Sequence, residues 1–198
     1  MRIRRRAMAT FRRSRNGLFS LTLQPVEADV LASVTREVLE LLDVPERRPD
    51  PLAEELGLGD LPGFGALADS AGGPAGPPED DVLRRLLPDA YPEDPEAAAE
   101  FRRFTEHSLR ERKAAAARAV LASLAPVEGQ GGRVQLDADG ARTWLAALND
   151  VRLALGTRLG VSDDSEPELL ADDDPERYAW AVYDFTTHLQ ETLVRSLG

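Results

Sequence analysis

Apolar residues recur along this chain with two different periods, and each change of period marks a new element. Between Ala9 and Leu23 they alternate, with Phe11, Phe19, Leu21 and Leu23 on the two sides of Asn16-Gly17. Period two sends successive side chains to opposite faces of a strand. Asn-Gly readily takes the positive φ angles of a type I′ turn, so the segment predicts a β-hairpin. From Pro25 the spacing changes to three and four, through Val30, Leu31, Val34, Val38, Leu41 and Leu42, with Glu27 and Asp29 in the first turn. That pattern predicts an amphipathic helix ending near Val44-Pro45.

Proline and glycine then take over. Pro45, Pro49 and Pro51 break the helix, and residues 57–81 hold seven glycines and four prolines. Residues 45–81 therefore read as a Pro/Gly-rich linker or mobile insertion, with one short turn at Leu52 to Leu56. A short helix is expected from Asp81 to Leu87, ahead of Pro88. Pro95 then opens a long helix over Glu96 to Leu124, with Phe101, Phe104, Leu109, Val120, Leu121 and Leu124 as its apolar positions and Pro126 as its stop. Arg133 to Leu136 predicts a short strand, and Asp137 caps a helix running through Trp144, Leu145, Leu148, Val151, Leu155 and Leu159. The order strand, cap, helix repeats that of Leu21-Thr22-Leu23, which suggests Val134 to Leu136 as a third strand beside the hairpin. An acidic loop, Asp163 to Glu176, precedes a last helix opened by Pro175, with Trp180, Val182, Tyr183, Phe185, Leu189, Leu193 and Leu197 on its buried side. The expected fold is mainly α, a helical bundle with a small antiparallel β-sheet. It forms one domain over residues 1–198, with residues 1–8 as a flexible basic arm.

Composition narrows the classes. Hydrophobic residues make up 42% and charged residues 30%, a balance that supports a packed globule. No run approaches the ~20 apolar residues of a membrane helix, and no apolar segment follows the arginine-rich start. A cytoplasmic protein without membrane contact is expected. The absence of cysteine excludes disulfides, thiolate metal sites, cysteine nucleophiles and thiol-based sensing by this chain. The basic residues are arginines except for Lys113. Net charge is −11, yet residues 1–15 carry seven arginines and no acid, which leaves −18 on the remainder. The body would repel nucleic acid and the N-terminus would attract it. Translation starting at Met8 would remove Arg2, Arg4, Arg5 and Arg6 and weaken that attraction.

No zinc-protease helix, phosphate loop, nucleophile elbow or calcium loop occurs, and two histidines leave few general bases. The expectation is a non-enzyme without a cofactor. Asp184, His188 and Glu191 share one helix face and offer one imidazole and two carboxylates to a divalent ion. The plainer reading is a solvated face whose charges pair along the helix. With no second imidazole or thiolate, no tightly held metal is expected there. Asn149, Asp150 and Arg152 lie among apolar residues one turn before Gly156, a residue that suggests close approach of another helix. Tyr183, Asp184, Gln190 and Glu191 of the last helix are the expected partners, in a structural network or, as the alternative, a ligand or partner site. Arg4, Arg5, Arg6, Arg12, Arg13 and Arg15, with Phe11 beside them, are the candidate nucleic-acid contacts, against a merely solvated arm. His107 is expected on the surface. The long helix interleaves its acids and bases and makes no convincing recognition helix.

Four stretches carry a resemblance: Phe11-Arg12-Arg13 with Asn16-Gly17, Leu86 through Tyr91, Ala147 through Gly156, and Val182-Tyr183-Asp184-Phe185 with Leu189-Gln190-Glu191. They resemble the actinobacterial domain of unknown function 2017 family, whose members carry the name oxidative-stress transcriptional regulator, AosR. Leu148 to Gly156 is the most specific run, and residues 57–81 are the vaguest part. The family tends to be encoded beside the Clp protease adaptor and cysteine-synthesis genes. The resemblance implies a regulatory, non-enzymatic protein acting through another protein or DNA; taken with the basic hairpin, the expectation is a transcription-associated regulator working mainly through protein contacts, with RNA polymerase or a sigma factor as partner and weak DNA contact by the hairpin. An adaptor linked to Clp-type proteolysis is the alternative, and a metal-dependent enzyme is the remote one. A thiol switch does not fit a chain without cysteine, so sensing must lie elsewhere. The resemblance brings no catalytic residue to this chain.

Overall fold

The computed structural model describes residues 8–42, 76–162 and 174–198. Arg4, Arg5 and Arg6, most of the 45–81 segment and most of the acidic loop lie outside them. The described residues are mainly helical, with a three-stranded antiparallel sheet in the order β1-β2-β3. The elements are β1 (Arg12–Arg13), β2 (Phe19–Leu23), α1 (Pro25–Leu42), α2 (Asp81–Leu86), α3 (Pro95–Leu124), β3 (Gly132–Leu136), α4 (Ala138–Arg158) and α5 (Pro175–Leu197).

The hairpin forms, with a turn other than the two-residue one expected. Gly17 N–H donates to Ser14 C=O at 3.0 Å, so Arg15 and Asn16 are the central turn residues and Gly17 follows at φ +82°. Only that last position demands glycine, in the way a type I turn ends in a left-handed residue. The suggested third strand is present, with Leu21 opposite Val134 and Ser20 opposite Gln135.

Each helix starts where its sequence offers a cap. Glu27 accepts from Gln24 N–H at 2.8 Å, and Asp80, Asp94, Asp137 and Asp174 each accept from backbone N–H groups in the first turn of α2, α3, α4 and α5. Such caps satisfy donors that a helix start otherwise leaves unpaired.

The inward face of the sheet (Phe11, Phe19, Leu21, Leu23, Val134 and Leu136) packs on Leu31 of α1, Leu124 of α3, Trp144 and Leu148 of α4, and Leu189 and Leu193 of α5. A second cluster joins Val38 and Leu42 to Val82, Leu86, Ala114 and Val151. Two residues of β1 supply few ladder bonds, so the strand depends on its anchor. Phe11 meets Trp144 edge-on at 5.6 Å, its N–H donates to Thr192 Oγ1 at 3.2 Å, and its C=O accepts from Ser196 Oγ at 3.3 Å. Burying such a side chain is worth ~2–3 kcal/mol, and the two bonds close the β1 edge of the sheet against α5.

α3 departs from its apolar pattern. Phe101 and Phe104 are 43% and 42% exposed, while Ala98 and Arg102 take the inward positions. Arg102 is tolerated there because Asp89 and Glu106 both pair with it; a buried guanidinium needs such partners. Tyr91 covers Phe101 edge-on at 5.8 Å. No helix among the described residues is long and apolar enough to cross a membrane.

Candidate functional site

Of the six candidate nucleic-acid arginines, Arg12, Arg13 and Arg15 are described, and all three are exposed. Arg13 lies over the Phe19 ring at 5.6 Å to the centroid, an interaction that holds a guanidinium without neutralising it. Arg12 is opposite Ser20, which is opposite Gln135. Directly opposed residues share a face of the sheet, so all three side chains point to solvent. Thr22 and Arg133 form the next row of the same face. No carboxylate belongs to β1, β2, β3 or the hairpin turn. Arg133 was missed by sequence reasoning; the alternation of Arg133, Val134, Gln135 and Leu136 carried the signal once β3 was paired.

The expected α4–α5 network assembles in part. Arg152 donates from Nε to Thr187 Oγ1 at 3.0 Å and from Nη1 to Gln190 Oε1 at 2.5 Å. Its guanidinium also sits 5.7 Å from the Tyr183 ring centroid, and Tyr183 in turn meets Trp180 edge-on. Asn149 and Asp184 are exposed. Glu191 pairs with Arg195 at 2.9 Å. Tyr183 also lies against Gly156, where an added Cβ would come 3.4 Å from Cε2. That is ordinary contact, so the helix approach leaves room for a methyl group.

Asp150 faces a different neighbour from the expected one. It is buried against α3, where Lys113 Nζ reaches its Oδ1 at 2.6 Å. Burial raises the Asp150 carboxyl above its ordinary 3.8, and the hydrogen bond and charge of Lys113 only partly oppose that. A charge inside a protein is costly unless it is paired, which explains why the chain's lysine stands here.

His188 Nε2 lies 3.4 Å from Thr10 Oγ1, so among Asp184, His188 and Glu191 the imidazole faces the hairpin while Glu191 is engaged along the helix. Among the described residues no three imidazole or carboxylate groups gather as metal ligands. His107, expected on the surface, is half-buried, with Nε2 3.1 Å from Glu111 Oε1 but not aligned as a hydrogen bond.

Among the described residues, two polar features thus stand out at the surface, the arginine-bearing sheet and the Arg152 cluster. A family model described as a domain of unknown function, DUF2017, matches residues 8–197. The chain belongs to the DUF2017 family. Similar proteins include those named oxidative stress regulator AosR in Mycobacterium bovis and Mycobacterium tuberculosis, each 35% identical over 189 residues, covering 89% of this chain and 80% of the relative. A Mycobacterium leprae protein bearing the same regulator name is 33% identical over 192 residues, covering 90% of this chain and 82% of the relative. No solved structure matches the chain. The span matched to DUF2017 takes in the hairpin, the sheet and both helices of the Arg152 cluster.

Proposed function

We propose that this DUF2017 chain is a non-enzymatic regulatory protein of the cytoplasm that acts on transcription through contacts with RNA polymerase or a sigma factor. One observation carries the reading: similarity along nearly the whole chain to proteins named oxidative stress regulator. The exposed Arg12, Arg13 and Arg15 support a weaker, phosphate-directed contact with DNA beside the protein contact. A chain without cysteine receives an oxidant signal through its partner rather than by its own thiol chemistry.

The test is binding of the immobilised full chain to purified RNA polymerase core and to individual sigma factors from the organism that encodes it. Retention of one of them, with a stoichiometric complex on gel filtration, is the expected result. Failure with all of them, together with retention of a Clp component, would replace the reading with that of a proteolysis adaptor.

A further inference from the structure

The solvent face of the sheet differs from the rest of the molecule in its charge. Elsewhere among the described residues Arg36, Arg84, Arg102, Arg110, Arg142, Arg158 and Arg195 each pair with a carboxylate, and the exposed Arg85, Arg112 and Arg118 stand on α2 and α3, helices that carry acids of their own. On the sheet, Arg12 and Arg133 are exposed and, among the described residues, meet no acid. Ser20, Thr22 and Gln135 complete the two rows of this face; Ser20 Oγ donates to Arg12 C=O at 3.4 Å, and Thr22 and Gln135 add a hydroxyl and an amide. The face therefore holds two unneutralised guanidiniums and three neutral hydrogen-bonding groups in a chain whose net charge is −11.

We propose that this face is a platform for the phosphodiester backbone of duplex nucleic acid, with Arg133 acting together with Arg12. The proposal rests on the reading that the hairpin meets DNA, and it extends that site across the sheet to a residue from a distant part of the chain. Arg12 and Arg133 stand two strands and two residues apart, a separation of about 12 Å between their Cα atoms from ordinary sheet spacings. At that distance the two guanidiniums reach separate phosphates rather than compete for one. Arg13 and Arg15 continue the charge along the hairpin edge.

The chemistry of the face selects the occupant. Protein interfaces draw most of their affinity from a few buried anchors, above all Trp, Tyr and Arg, and the two rows supply no aromatic ring to seat beside their arginines. A phosphate backbone needs only cations and neutral donors. The face also lacks an exposed ring on which a base could stack, which favours a duplex over a single strand.

Fluorescence anisotropy with a labelled duplex of about 20 base pairs, read between about 50 and 200 mM salt, tests the assignment on the full chain. Arg133→Ala is expected to weaken binding about five- to tenfold near 0.1 M salt and to reduce the salt slope by about one. Arg133→Lys should largely restore both, and Arg85→Ala, which removes the same charge from α2, should change neither. Unchanged binding by Arg133→Ala, with binding lost on changing Arg12, Arg13 and Arg15 to Ala, would overturn the sheet platform and leave the hairpin contact standing. No salt-dependent binding by the intact chain would overturn both. Loss of RNA polymerase or sigma-factor binding in Arg133→Ala with duplex binding intact would assign the face to a protein and overturn the proposal. Matching thermal melts for the variants establish that each is folded.

Discussion

Replacing Lys113 by Met separates the Asp150 carboxylate from its counter-ion while keeping most of the volume of the side chain. The lysine lies 19% exposed and the aspartate 7% exposed, with 2.6 Å between Nζ and Oδ1 across the α3–α4 interface. Breaking a buried pair from one side costs ~3–5 kcal/mol, because the remaining charge is left without compensation. The partial exposure of Lys113 lets water reach the site, so the expected loss is at the lower end, about 3 kcal/mol near pH 8, or a fall in Tm of roughly 6–12 °C. Burial already raises Asp150, and Lys113 is what lowers it; without the lysine the carboxyl rises further. Between its unfolded and folded values the native state then holds a proton that the unfolded chain has released, so stability falls as pH rises through that window. The destabilisation of Lys113→Met should accordingly shrink as pH is lowered from about 8 to about 5, the direction in which the raised carboxyl of Asp150 regains its proton. Urea unfolding at both pH values measures it, and a Lys113→Met/Asp150→Leu chain, which removes both charges, should regain most of the loss. A cost below about 1 kcal/mol at both pH values, or a cost that does not change with pH, would refute the reasoning.

Gly131 has φ +69°, and an added Cβ would lie 2.8 Å from Leu23 C=O; Gly131→Ala should lower stability by about 2 kcal/mol or more, read by urea unfolding. Gly156 behaves in the opposite way. Since a Cβ there meets Tyr183 only at 3.4 Å, Gly156→Ala should raise stability by about 0.5–1 kcal/mol through helix propensity, and a fall in Tm would show that α5 needs the closer approach. Mild peroxide should leave the melting curve and partner binding unchanged, because the chain has no cysteine and only two methionines. Met8 is 46% exposed and outside both core clusters; a reversible, peroxide-dependent change in the isolated chain would contradict this.

Period, punctuation and caps are local properties, and they were legible without the structure. Alternation predicted the hairpin, three- and four-residue spacing predicted α1, α4 and α5, and Asp94 with Pro95 and Asp137 with Ala138 began helices where a cap belongs. The third strand was legible too, because a short alternating run before a cap has few other ways to bury Val134 and Leu136. The partners of charged and aromatic side chains were decided by packing. Phe101 and Phe104 follow an apolar pattern and still face outward, since Arg102 between them found Asp89 and Glu106 and took the inward position. Asp150 turned from α5 to Lys113, and Arg152 took Gln190 and Thr187, because the crossing of α4 with α3 on one side and α5 on the other sorts adjacent residues onto opposite neighbours. The same holds for the sheet face. Arg12 and Arg133 are far apart in the chain, and strand pairing through β2 places them on one face of the sheet. A one-dimensional pattern states which face a residue occupies, whereas the residue it meets there depends on the relative placement of whole elements, which long-range burial decides.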